Sequence, residues 1–256
     1  MNASGPLAGL GVVLTRPPEQ SRAFAARLEA AGARVISCPS LSIVPVTPSG
    51  ESAAALARLP TARFAIFVSA NAVEHGLAAA RAAGPWPAGV TAAAVGQATA
   101  SGLREAGIAG VIAPSGRADS EALLALPELQ AVRGAPIIVF RGVGGREHLR
   151  TVLESRGAQV SYVECYRRER PVTDPRATRE ALGRGEIHAV HAMSAESVEN
   201  FAMIVGPDAD LARVALVVPH EAVARTPARA RFGQAIVAGA GPDGLAEALA
   251  PLARKA

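Results

Sequence analysis

Cysteine is almost missing from this chain: Cys38 and Cys165 are the only two in 256 residues. Two are too few for a disulfide framework, so reduced thiols and a cytoplasmic location are expected. Long apolar runs are missing as well. Hydrophobic residues make up 50% of the chain and the mean hydropathy is +0.24. That weight sits in Ala and Val, and no run approaches the ~18 apolar residues of a membrane span. The N-terminus lacks a basic segment followed by a long apolar one, so no secretory signal is expected. Aromatic residues are sparse at 4%, and the net charge is only +4. The isoelectric point near 9.8 weakly favours anionic ligands. The basic residues are mostly scattered Arg with no aromatic-interleaved stripe, so neither nucleic acid nor membrane is an expected partner.

Familiar chemical signatures are also lacking. His188 and His191 lie three apart on a predicted strand and face opposite sides, which excludes a metal pair. Gly142-Val143-Gly144-Gly145 has Glu147 where a dinucleotide loop needs its third glycine. No P-loop, nucleophile elbow or zinc spacing is present.

What is present is alternation. Pro136 to Phe140 reads as a buried strand, and the glycines after it as a tight turn with open amides. Glu147 to Arg156 carries Leu149, Val152 and Leu153 at helical spacing, and Gly157 is the helix stop. An equivalent unit starts the chain: strand Leu10 to Leu14, turn Arg16-Pro17-Pro18, helix Glu19 to Ala31, stop Gly32, strand Arg34 to Ser37. Arg16/Arg141, Gly32/Gly157, Leu28/Leu153, Val35/Val160, Ser69/Ser194 and Val73/Val198 all keep an offset of 125. That constancy reads as an internal duplication.

The remaining strands are read at Phe64 to Val68, Thr91 to Val95, Val111 to Ala113, Ile187 to Ala192, Val214 to Val218 and Gln234 to Val237. Helices are read between them. Asp119 is expected to cap Ser120 to Leu126, and Asp243 to cap the last helix. A helix is read from Asp174 to Gly183, and another from His220 to Arg231. Alternation of this kind implies parallel sheets with right-handed crossovers and ligands at the strands' carboxyl ends. Two sheets of about five strands fit the count. Leu41–Val46 and Glu164–Arg170 are Pro-flanked, lack helical periodicity and read as two linkers. The domains are therefore expected at 1–38 with 171–256, a discontinuous unit, and at 39–170.

Five segments occur in order: Val13-Leu14-Thr15-Arg16-Pro17, Phe67 to Val73, Ala94 to Ala100, Arg141 to Glu147, and Tyr166-Arg167-Arg168. Together they resemble uroporphyrinogen-III synthase over nearly the whole chain. The resemblance implies two flavodoxin-like, doubly wound α/β domains joined by a two-stranded linker. It implies cofactor-free cyclisation of the linear tetrapyrrole hydroxymethylbilane, with inversion of the last pyrrole ring and loss of water. A monomer is expected. A non-catalytic two-domain binder of a small polyanion is the alternative.

Cyclisation with inversion is a positioning task, because the leaving hydroxyl departs readily. Anion-binding turns should then outnumber catalytic acids. Such turns precede helices at Ser69–Asn71, Gly96–Thr99, Gly142–Gly145, Ser194–Glu196 and Pro219–His220. The candidate substrate-binding residues are Arg16, Ser69, Asn71, Gly96, Thr99, Arg141, Gly142, Gly145, Arg146, Ser194 and His220. Ordinary helix caps and surface ion pairs are the competing roles. His220 stands where the family often has a Thr-containing turn. The resemblance makes Tyr166 the candidate for assisting water loss, against a packing role.

Overall fold

The computed structural model describes residues 5–254. Two compact units emerge, Met1–Ser42 with Glu169–Ala256, and Ile43–Arg168. Their limits fall within a few residues of the positions at which the linkers were read.

The first unit holds a five-stranded parallel sheet of β1 (Gly11–Leu14), β2 (Arg34–Ser37), β8 (Ala189–His191), β9 (Ala215–Val218) and β10 (Gln234–Val237). Its order is β10-β9-β8-β1-β2, so β1 is flanked by β2 and by β8 from far along the chain. Both faces are buried, as parallel sheets require. Val13, Val190, Leu216 and Val218 pack with Phe201 and Val205 of α8 (Ala195–Val205). Val12, Leu14, Ala189 and Val217 face Leu28 of α1 (Pro18–Ala30) and Leu245 and Leu249 of α10 (Gly241–Ala253).

The second unit repeats the plan in permuted order. Its strands are β3 (Ser42–Pro45), β4 (Phe64–Phe67), β5 (Thr91–Ala94), β6 (Pro136–Gly142) and β7 (Gln159–Glu169), ordered β3-β7-β6-β4-β5. In β6, Ile138 and Phe140 face Leu77 of α3 (Ala70–Ala83). Ile137 and Val139 face Leu149 and Leu153 of α6 (His148–Ser155). Gly76 lets α3 sit close, because a β-carbon there would lie 2.7 Å from the Phe140 ring. Phe140 in turn stacks on Phe67 at 4.6 Å.

The duplication is visible in the pairing. The parallel bridge Ala93↔Ile112 matches Val217↔Ile236 of the first sheet at an offset of 124. One residue of the 125 offset is therefore lost after the helices that Ser69 and Ser194 begin. The expected strand at Val111 to Ala113 reduces to that single bridge.

Four other readings change. Glu164–Arg170 is not set apart from the strand before it, since β7 runs through Glu169 for 11 residues. The helix expected to reach Arg231 stops at Ala224, as Pro227 forces a new turn and a 3-10 segment from Pro227 to Arg231. The helix expected from Asp174 begins at Arg176. Asp243 does not cap α10; it sits inside the first turn, paired with Arg27 at 2.6 Å. Among the described residues no helix is long and apolar enough to cross a membrane.

Candidate functional site

In the second unit, β6 and β7 run in register from Pro136↔Gln159 to Arg141↔Glu164, then slip, so that Gly142 pairs with Tyr166. The extra residue is Cys165. This bulge buries Cys165 and Tyr166 although they are consecutive, at 1% and 2% exposure. Burial pushes the Cys165 thiol up to about 12, so it stays protonated and serves as core.

The Tyr166 ring lies over the backbone of Gly142. A β-carbon at Gly142 would stand 2.7 Å from the ring. Beyond it, the Tyr166 hydroxyl meets Ser69 Oγ at 3.1 Å. Ser69 is also the N-cap of α3, accepting from the Ala72 amide at 3.1 Å. With its acceptor side engaged by Ala72, the Ser69 hydroxyl can donate to the Tyr166 oxygen. The phenolic proton is then free to be given elsewhere.

Around this pair is a cavity of about 280 Å³. Its walls include Ser69, Arg141, Gly142, Gly145, Arg146, Tyr162, Tyr166 and Arg168, and among the described residues no acidic side chain lines it. Six residues read from the sequence thus converge: Ser69, Arg141, Gly142, Gly145, Arg146 and Tyr166.

They do not converge in equal roles. Arg141 is buried at 4% exposure. It donates to Glu147 Oε1 at 2.9 Å and to the Gly142 carbonyl at 3.2 Å, with its guanidinium 4.2 Å from the Tyr162 ring centre. Gly145 is required for this, because a β-carbon there would come within 2.6 Å of the Arg141 guanidinium. Arg141 holds the Glu147 carboxyl below its ordinary value, helped by the Tyr162 hydroxyl. Burial first, and then the Glu147 carboxylate, pushes Tyr162 up. Arg146 is exposed and carries no ion pair among the described residues. In the turn itself, the Val143 amide donates to the Tyr166 carbonyl at 2.9 Å, and the Gly144 amide reaches Glu164 at 3.4 Å. Those two amides are already engaged.

Asn71, Gly96 and Thr99 lie elsewhere in the same unit. Asn71 is in the first turn of α3. Gly96 is the N-cap of α4 (Gln97–Glu105), where a β-carbon would meet Ala118 at 2.4 Å, and Thr99 is buried in that helix's first turn.

Three candidates belong to the first unit. Ser194 caps α8, accepting from the Ser197 amide at 3.2 Å. His220 is exposed and precedes α9 (Glu221–Ala224), only four residues long. Arg16 bonds Gln20 at 3.3 Å and lies 5.3 Å from the Phe24 ring centre; burial lowers its pKa. Beside it is a residue not singled out as functional. His191 ends β8 at 3% exposure, 5.3 Å from Phe24, and its Nδ1 has no hydrogen-bond partner among the described residues. Burial, then the Arg16 charge, depresses it to about 4. His188 by contrast accepts from the Gly11 amide at 3.0 Å.

Arg168, the last residue of the Tyr166-Arg167-Arg168 segment and not among the candidate site residues, also lines the cavity. The signal for it was available: two residues on from Tyr166 along a strand is the same face.

A family model described as uroporphyrinogen-III synthase HemD matches residues 22–247. The uroporphyrinogen-III synthase of Synechococcus elongatus is 36% identical over 214 residues, covering 79% of this chain and 77% of that one. Those of Salmonella typhimurium and Escherichia coli are 36% and 31% identical over 160 residues, 62% of this chain. The matched stretch spans 65% of the length of each of these two relatives. Among solved structures, a mutant uroporphyrinogen III synthase from Thermus thermophilus superposes with a TM-score of 0.64 at 22% identity, over 96% of this chain and 99% of that one. The uroporphyrinogen-III synthetase of Helicobacter pylori gives 0.61 at 12% identity, over 96% and 99%. At such identities the structural likeness speaks for the fold.

Proposed function

This chain belongs to the uroporphyrinogen-III synthase family, and on that premise we propose that it closes hydroxymethylbilane to uroporphyrinogen III with inversion of the last ring. The observation that carries the reading is the Tyr166–Ser69 pair, 3.1 Å apart, on an acid-free cavity with arginines in its wall.

The chemistry asks little of an acid. The C–O bond of the hydroxymethyl group breaks under the push of the pyrrole nitrogen, leaving an azafulvene. The departing oxygen takes one proton and leaves as water. The substituted carbon of the last ring then attacks, giving a spiro intermediate. Its bond to the original bridge carbon breaks, and the ring's unsubstituted α-carbon closes on that bridge carbon. The proton this α-carbon loses balances the one given to the departing water. The ring-closing electrons come from the pyrroles, so the scheme calls for no cofactor. Tyr166, its oxygen fixed by Ser69, supplies a proton at the departing hydroxyl. Held geometry supplies the rest. Ser69, Gly142, Gly145 and Arg146 act as substrate contacts in this scheme. Arg141 acts indirectly, by shaping the turn through Glu147.

We further propose a cytoplasmic monomer acting on a free tetrapyrrole. Two buried free thiols suit a reducing compartment. The exposed large apolar residues Val143, Val172, Met193, Met203 and Val237 are scattered along the chain.

The test is incubation with freshly generated hydroxymethylbilane, followed by oxidation and separation of isomers. Isomer III in excess of the unrearranged ring supports the proposal. Tight binding with only the unrearranged product would instead mark a non-catalytic polyanion binder.

A further inference from the structure

The Tyr166 cavity has three arginines in its wall, and only one of them is neutralised. Arg141 is committed to Glu147 at 2.9 Å. Arg146 and Arg168 are exposed, line the same cavity and carry no ion pair among the described residues. Arg168 shares a face of β7 with Tyr166, and its guanidinium carbon lies 6.0 Å from the Tyr166 ring centre. That is the outer limit of a cation–π contact, which holds the group near the ring without occupying its donors. Two guanidinium groups with no ion pair among the described residues, in the wall of a cavity with no acidic side chain in its lining, leave donors available to a carboxylate. Guanidinium is suited to the task, since its fork matches two carboxylate oxygens.

We propose that Arg146 and Arg168 together receive a ring carboxylate of the ligand and so set which carbon stands against the Tyr166 hydroxyl. This rests on the synthase reading above and adds to it a positioning residue, Arg168. Both arginine side chains are exposed and stand outside the Arg141–Glu147–Tyr162 contacts, so replacing them leaves buried Arg141 and its partners in place.

The experiment has two independent arms. In the first, uroporphyrin III, the oxidised product, is titrated by fluorescence against the wild type, R146Q, R168Q and R168K at several salt concentrations. Losing a charged hydrogen bond weakens binding by about tenfold or more. R146Q and R168Q should each do so and flatten the salt dependence, with R168K recovering part. The octamethyl ester of the same porphyrin should bind the wild type no better than it binds R168Q. In the second arm, hydroxymethylbilane turnover is resolved by isomer. A positioning role predicts a larger unrearranged fraction in R168Q at an unchanged melting temperature. Binding of the free acid by R146Q and R168Q within twofold of wild type overturns the proposal. Wild-type production of isomer III is judged separately, so the synthase reading stands or falls without these variants.

Discussion

At the scale of single residues, two side chains carry tests. Tyr166 is held by Ser69 through its hydroxyl. Tyr166→Phe keeps the ring over Gly142 and removes only the oxygen. Turnover should fall on the order of 10–100-fold, toward the low end of general acid contributions, because the leaving group departs readily. Stability should drop by about 1 kcal/mol, one lost hydrogen bond. Wild-type turnover in this variant would return Tyr166 to packing. His191 carries the second test. Its folded pKa is about 4, below the ordinary value of 6.5. Above pH ~6.5 both folded and unfolded forms are neutral, and nothing is lost. Between pH ~6.5 and ~4 the unfolded chain takes the proton and the folded one refuses it, so stability falls as pH falls. The cumulative cost is on the order of 3 kcal/mol. Urea unfolding across that range should show the slope, and His191→Leu should flatten it. An unchanged slope in the variant assigns the acid sensitivity to other groups.

At the scale of elements, the β6–β7 bulge and the start of α3 set the site. The bulge places Tyr166 over Gly142, and the missing β-carbon is what permits it. Gly142→Ala should force the ring away from Ser69. Overpacking of this kind costs about 1–3 kcal/mol. A crystal structure of the variant should show the 3.1 Å contact broken, and an unmoved ring would refute the account. Ser69 and Ser194 are matched caps of α3 and α8. Replacing either with Ala should cost about 1 kcal/mol of stability. Turnover should respond more to Ser69→Ala, because only that hydroxyl also bonds Tyr166. Equal turnover losses would show that the tyrosine contact is incidental.

At the scale of the whole molecule, connectivity matters more than any one contact. The second unit, Ile43–Arg168, is continuous and carries its own sheet with both faces covered. The first is split, with β1 hydrogen-bonded between β2 and β8. A fragment of residues 43–168 should therefore fold alone and melt cooperatively. A fragment of residues 169–256 lacks β1 and β2 and leaves one edge of β8 unpaired. It should remain unfolded by circular dichroism until residues 5–42 are added back. A dispersed, cooperative fold from 169–256 alone would sink this account.

Sequence by itself determined the α/β class and the positions of most elements. Strand and helix periods are local, and apolar runs such as Pro136 to Phe140 leave one choice of burial. It also carried the duplication, since Arg16/Arg141 and Ser69/Ser194 keep their spacing however the chain folds. Capping was half legible. Ser69 and Ser194 cap as their neighbours suggest, whereas Asp243 is drawn instead to Arg27, far away in sequence. Only the tertiary structure decided which arginine is spent. Arg141 and Arg146 look alike in the chain, but Arg141 lies at the buried end of β6 against Glu147 and Tyr162, while Arg146 stays in solvent. Only the tertiary structure, too, put Tyr166 on Ser69 and left His191 uncharged. Those outcomes depend on a one-residue slip between two strands and on the exclusion of water, and neither has a local signature in a run of amino acids.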